Sequence, residues 1–430
     1  MQKLAGVRLN EGVSKKNLLT FYFLTFFGLP LMFFVSASQD FFLTTFMKIP
    51  SAEQGQVAGN LQSFREFVIL FMIGAAGILA DKIGRKIVVV AGFVSMAIGY
   101  TLFPFSNNLT EVYLFQIFSA TGNAFVTGMM STIIADYVFD KDRGKASAVQ
   151  GILIGLAIPM VGLVLKPMPK YFQTAGYSEI LAGKISYFVV AAIAIFAAVV
   201  LFFGLKSGLP VKREAKIGTF DLIKQGIVAG KEPGVALSYM SAFVSRSDLA
   251  VIGTFLSIWV SNYGRDVLNY DSATAAQKAG LVLASGGLAY LISAPIAGWL
   301  TDKINRVSAL MIATAIGFVA YSSAALITNP LGVGMFAVVS LFSVAQIFGV
   351  ITSQVLVSQE AKAEIRGSVI GFFGLCGAAA QIILGIVGGW LFKNWSPTAP
   401  FVFVGLMNLL LFLAALFLKG KIKPASTEQA

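Results

Sequence analysis

Twelve apolar runs, each near the length needed to cross a bilayer, leave this chain few ways to fold. A helix rises 1.5 Å per residue, so crossing about 30 Å of hydrocarbon takes roughly 20 residues. Runs of that order lie near 18–46, 56–80, 86–105, 111–136, 145–166, 184–205, 235–262, 279–300, 307–328, 332–357, 367–392 and 398–418. Hydrocarbon offers no water to the backbone, so each run must satisfy its own amides as a helix. Hydrophobic residues make up 57% of the chain and charged residues only 12%, about half the charged share of a soluble globule. The expected fold class is an all-α membrane protein with twelve transmembrane helices.

Net charge is +12, and its placement explains it. With the N-terminus in the cytoplasm, cytoplasmic ends and loops hold 23 of the 32 lysines and arginines, from Lys3, Arg8, Lys15 and Lys16 to Lys419, Lys421 and Lys423. Such a bias orients a multi-pass protein with both termini in the cytoplasm, here a cell (inner) membrane. The basicity is topological and calls for no nucleic-acid partner. Histidine is absent and Cys376, inside the eleventh run, is the one cysteine, which excludes an intrachain disulfide and a Cys-rich metal site. No cofactor or metal is expected. A GxxxxGK[ST] phosphate loop is also missing, so the chain carries no ATP-driven motor of that kind. The polar stretch before the first run does not have the pattern of a cleaved signal peptide.

The runs fall into two related sets. Gly77-Ile78-Leu79-Ala80-Asp81-Lys82-Ile83-Gly84-Arg85-Lys86 and Gly298-Trp299-Leu300-Thr301-Asp302-Lys303-Ile304-Asn305-Arg306-Val307 agree at six positions of ten. Residues 34–46 and 243–255 align without a gap and agree at six of thirteen, and Arg143-Gly144 is echoed by Arg366-Gly367. The expected organisation is a six-helix bundle over 1–205, a cytoplasmic central loop over 206–234 with an amphipathic piece from Phe220 to Val228, and a second, pseudo-symmetric bundle over 235–430. Duplicated halves are common in secondary transporters, which place one site between repeats and rock them around it.

The first copy resembles the G-x-x-x-D-[RK]-x-G-R-[RK] signature of the major facilitator superfamily. Gly77, Asp81, Lys82, Gly84, Arg85 and Lys86 fill every defined position, whereas Asn305 and Val307 depart from it in the second copy. The resemblance covers nearly the whole chain. It implies alternating-access transport of a small solute by a non-enzymatic, monomeric carrier, with Gly77, Asp81, Gly84, Arg85, Lys86, Asp302 and Arg306 at a cytoplasmic gate. Asp81 and Arg85, four apart, can pair if the second helix continues that far.

Five ionisable residues fall within the runs: Asp40, Arg65, Glu66, Arg246 and Asp248. A charge near mid-bilayer costs about 2.5–3.5 kcal/mol on insertion scales, so such groups face the bundle interior and mark substrate or ion paths. Adjacent Arg65 and Glu66, and Arg246 and Asp248 two apart, point to different helix faces and are poor mutual partners. Three acids against two bases leave one acid without a fixed cation. Desolvation disfavours the charged form of such an acid, and Asp40, on a polar stripe with Ser36 and Thr44, is the favoured proton carrier. A static ion-pair network is the structural alternative.

The expected function is proton-coupled transport of a small polar or charged organic solute, with Arg65 and Arg246 orienting an anionic group. The alternative is a drug/proton antiporter. Gly151, Gly155, Pro159 and Gly162 partly match the glycine-rich motif of such exporters, but Ile158 replaces its glycine. Two intramembrane arginines also repel lipophilic cations.

Overall fold

The computed structural model describes residues 3–4, 6–208 and 219–422. Lys212, Arg213, Lys216 and Lys423 of the expected cytoplasmic belt, and much of the central loop, lie outside them. Among the described residues, twelve helical spans have the length and apolarity to cross a membrane. Spans 1 to 6 are Lys15–Thr45, Ser51–Ile83, Arg85–Phe105, Leu109–Tyr137, Asp140–Thr174 and Glu179–Gly204. Spans 7 to 12 are Pro233–Asp266, Ser272–Lys303, Arg306–Leu326, Val333–Glu360, Arg366–Asn394 and Ala399–Leu418. Strand content among the described residues is a two-residue antiparallel pair, Lys3–Leu4 with Val7–Arg8, and a bridge from Leu9 to Val138.

Local chemistry sets the helix ends. Ser14 and Asn17 form a reciprocal capping box at span 1, satisfying amides that the first turn leaves without partners. Asn108, Ser178 and Asn305 cap spans 4, 6 and 9 through their side-chain oxygens, and Pro233 opens span 7, where no helical donor is needed. Between spans 2 and 3 the chain turns on Gly84, whose φ of +90° is a conformation that a side chain would strain. Two spans are interrupted by π turns, Val161–Leu165 in span 5 and Ile252–Leu256 in span 7. A short helix, Thr219–Ala229, covers the expected amphipathic piece.

The chain separates into two compact units. One comprises Met1–Ser51, Phe64–Lys212 and Gly264–Ala284, the other Ala52–Ser63, Arg213–Tyr263 and Ser285–Ala430. In the first unit spans 3 and 4 approach closely where Gly92 and Gly122 each face the other's backbone. An aromatic cluster of Phe34, Phe42, Tyr100, Phe103 and Tyr187 fills its middle, and the Tyr100 hydroxyl donates to the Leu31 carbonyl. In the second unit Tyr321, Phe342, Phe401 and Trp259 stack in series. Gly317 leaves the space that the Asn408 side chain occupies, and Gly59 meets the backbone of Gly385 where spans 2 and 11 touch.

Candidate functional site

In the first unit, spans 1, 2 and 5 bring four charges into the interior. Asp40 and Lys166 form an ion pair at 2.5 Å with neither side chain exposed. The Lys166 ammonium also donates to the Ala37 carbonyl at 2.7 Å. One helical turn before Asp40, Ser36 accepts from the Arg65 guanidinium, which reaches Glu66 with its other terminal nitrogen at 3.2 Å. Arg265, at the end of span 7, is near enough for its charge to act on both Asp40 and Lys166.

Two sequence expectations are corrected here. Asp40 does have a fixed cation, because the π turn ending at Leu165 aims Lys166 inward. Arg65 and Glu66, though adjacent, do pair: a long guanidinium arm folds back along its own helix where the Ser36 hydroxyl steadies it. Lys166 was missed because its run ends there, and a lysine at the end of a span reads as an interfacial anchor. The sequence signal was its setting between Pro159 and Pro167.

The second unit holds Arg246 and Asp248 on span 7. Asp248 is wholly buried, accepts from the Asn408 amide at 3.1 Å, and takes part in no ion pair among the described residues. Its carboxylate faces the gap left by Gly349, and the Ser245 and Ser353 hydroxyls meet 3.4 Å apart nearby. The Arg246 stem packs where Gly377 has no side chain, and its charge acts on Tyr290. Among the described residues no ion pair joins Arg246 to Asp248. Asn408 was not foreseen, since a lone span asparagine has no motif around it.

At the signature, the helix of span 2 ends at Ile83, so Asp81 and Arg85 do not lie four apart on one helix. Arg85 instead opens span 3 and ion-pairs with Asp136 near the end of span 4, with a further bond to the Thr132 carbonyl at 3.1 Å. Lys86 bonds Ser207 at 2.7 Å and lies over the Phe202 ring. Gly77 faces open space. The second copy repeats this plan, because Arg306 opens span 9 and pairs with Glu360, the last residue of span 10, at 2.5 Å. Asn305 replaces Gly84 without strain: its φ is −56° and its side chain caps the helix through the Val307 amide. Asp302 lies one turn before it at the end of span 8.

The sequence and the fold have matches among known proteins. The Major Facilitator Superfamily pattern matches residues 26–384 and, again, 238–430. The chain belongs to that superfamily. It is a multi-pass membrane transporter and not an enzyme. Among superfamily relatives, the magnetosome protein MamH of Paramagnetospirillum magneticum is 26% identical over the whole of this chain and 98% of its own length. The magnetosome protein MamZ of Magnetospirillum gryphiswaldense is 23% identical over 88% of this chain, which spans 59% of that longer protein. The multi-drug resistance efflux pump PmrA of Streptococcus pneumoniae is 24% identical over 60% of this chain and 61% of its own length. The crystal structure of a point variant of the nucleoside transporter NupG superposes with a TM-score of 0.74 over 93% of this chain and 99% of that one. At 16% identity that likeness shows the shared superfamily fold.

Proposed function

We propose that this Major Facilitator Superfamily member couples protons to the alternating-access transport of a small polar or charged organic solute. One observation carries the reading. Of the three interior acids, Asp40 and Glu66 have cationic partners, whereas Asp248 is buried against a neutral amide. A buried carboxyl without a cation is the group on which a proton can reside and leave, so Asp248 takes the proton-carrying role that the sequence suggested for Asp40. Asp40 and Glu66 share the coupling through their ion pairs, and Arg65 and Arg246 orient an anionic group of the solute. The signature residues, in this reading, serve the cytoplasmic gate.

The test has two stages. A thermal-shift screen of the purified protein, with metabolite anions, zwitterions and lipophilic cations, selects the solute class. Proteoliposomes with an imposed pH gradient then measure its accumulation. Asp248→Asn should abolish gradient-driven accumulation while solute exchange at equal pH persists; full accumulation by this variant overturns the proton assignment.

A drug/proton antiporter is the second reading, favoured by the similarity to PmrA. Stabilisation by lipophilic cations that survives Arg246→Ala would establish it at the expense of the first. The proposed setting is a bacterial inner membrane with both termini cytoplasmic. Because a full-length relative is a magnetosome protein, a fluorescent fusion in a magnetosome-forming bacterium tests whether this chain shares that location.

A further inference from the structure

The π turn of span 5 bears on two contacts at once. Its last bond runs from the Lys166 amide to the Val161 carbonyl, five residues back, at 2.9 Å. Pro159 and Pro167 flank it, and each removes a helical amide donor, so the backbone here has fewer bonds to lose than an ordinary helix. A π turn holds one residue more than the α turn it replaces. Its collapse would rotate Lys166 by about 100° relative to the preceding helix, away from Asp40. Inside the same turn, Gly162 lies so close to span 8 that a side chain on it would strike the Gly280 carbonyl and Ala284, and one on Gly280 would strike Gly162. Five residues therefore tie an interior ion pair to the approach of two helices.

We propose that this turn is a register switch and that Lys166 is its positioning residue, an inference that rests on the coupling role assigned above to Asp40. When the Asp40–Lys166 pair is broken, the turn relaxes towards α-helix, and Gly162 moves off Gly280. The state of this ion pair is thereby read out as the separation of spans 5 and 8. Other groups also face the pair. Arg265 on span 7 acts on both members, Tyr187 on span 6 feels Asp40, and Glu179 and Asp266 act in turn on Arg265. The Arg65–Glu66 pair joins span 1 through Ser36.

The experiment uses full-length protein with Cys376→Ser and spin labels at Tyr171→Cys and Lys278→Cys, exposed positions on spans 5 and 8. Pulsed dipolar spectroscopy gives their distance distribution. Asp40→Asn, which removes the negative charge of the pair, should raise the population of the longer distance at least threefold. Deleting Val164, which removes the extra residue and leaves Lys166 in register with Asp40, should keep the shorter distance, and Asp40→Asn should no longer lengthen it in that background. An unchanged distribution in Asp40→Asn, or the same lengthening by Asp40→Asn after the deletion, would overturn the switch. If the deletion does not fold, backbone hydrogen exchange over 160–168 decides: at least threefold faster exchange in Asp40→Asn is expected, and unchanged exchange overturns the proposal. Neither readout requires solute or flux, so a failed Asp248→Asn transport test and a failed switch are separate results.

Discussion

A lysine with no exposed side-chain surface keeps its charge only where something nearby holds it, and for Lys166 that is Asp40, 2.5 Å away, with the Ala37 carbonyl. Removing one partner of such a pair strands a buried charge and costs about 3–5 kcal/mol, whereas replacing both with neutral groups can be nearly neutral. Lys166→Met should therefore lower the unfolding transition sharply, and Asp40→Asn/Lys166→Met should recover most of the loss. A double variant as unstable as Lys166→Met would show that the methionine's shape, not the charge, does the damage. Asp271 offers a second residue-level test. Burial pushes its carboxyl up, but the Thr274 hydroxyl and amide and the Lys170 ammonium outweigh this and hold it below the usual carboxylate range. Because its folded-state value is depressed, its stabilisation is present above the unfolded value of about 3.9 and fades as pH falls through the folded one. The melting-temperature gap between the parent and Asp271→Asn should be constant from pH 5 to 7 and close as pH falls below the unfolded value. A gap that is unchanged at low pH would mean that Asp271 acts through shape alone.

Glycines separate two kinds of helix position that look identical in a string of letters. Gly59 faces the Gly385 backbone, while Gly151, the first member of the GxxxG in span 5, has open space where a Cβ would go. Gly59→Ala should cost about 1–3 kcal/mol by overpacking. Gly151→Ala should be neutral, or stabilising by up to about 1 kcal/mol from helix propensity. Thermal unfolding in one detergent measures both, and equal losses would contradict the packing. The twelve helices and their order were legible because bilayer thickness imposes run length, although spans 2, 5, 7 and 8 extend further than their apolar runs. The two π turns were not legible. Nothing in the sequence around Val161 or Ile252 distinguishes π from α geometry except the flanking prolines of span 5, and so neither Lys166 nor its pairing with Asp40 could be assigned.

At the scale of the whole molecule, duplication was legible in the Asp-Lys-Ile repeat, but what the repeat holds was not. The sequence pointed to Asp81 and Arg85 on one helix. The break at Gly84 sends Arg85 to Asp136, and Arg306 to Glu360 by the same plan. Those acids carry no motif of their own and sit at the ends of spans 4 and 10, about fifty residues from the arginines they meet. That both halves keep the pair, although the second has lost the signature glycine and final lysine, argues that the arginine-to-acid link is the element retained from the repeat. Arg85 and Asp136 are partly shielded, so their attraction is less screened than at an open surface. Arg85→Asp and Asp136→Arg should each reduce proteoliposome flux about tenfold, or roughly 1.4 kcal/mol of barrier. Together, with the charges exchanged, they should return it to within about threefold of the parent. If the exchanged pair is as slow as either single variant, Arg85 acts through the Thr132 carbonyl or another group, and the parallel with Arg306 and Glu360 is structural only.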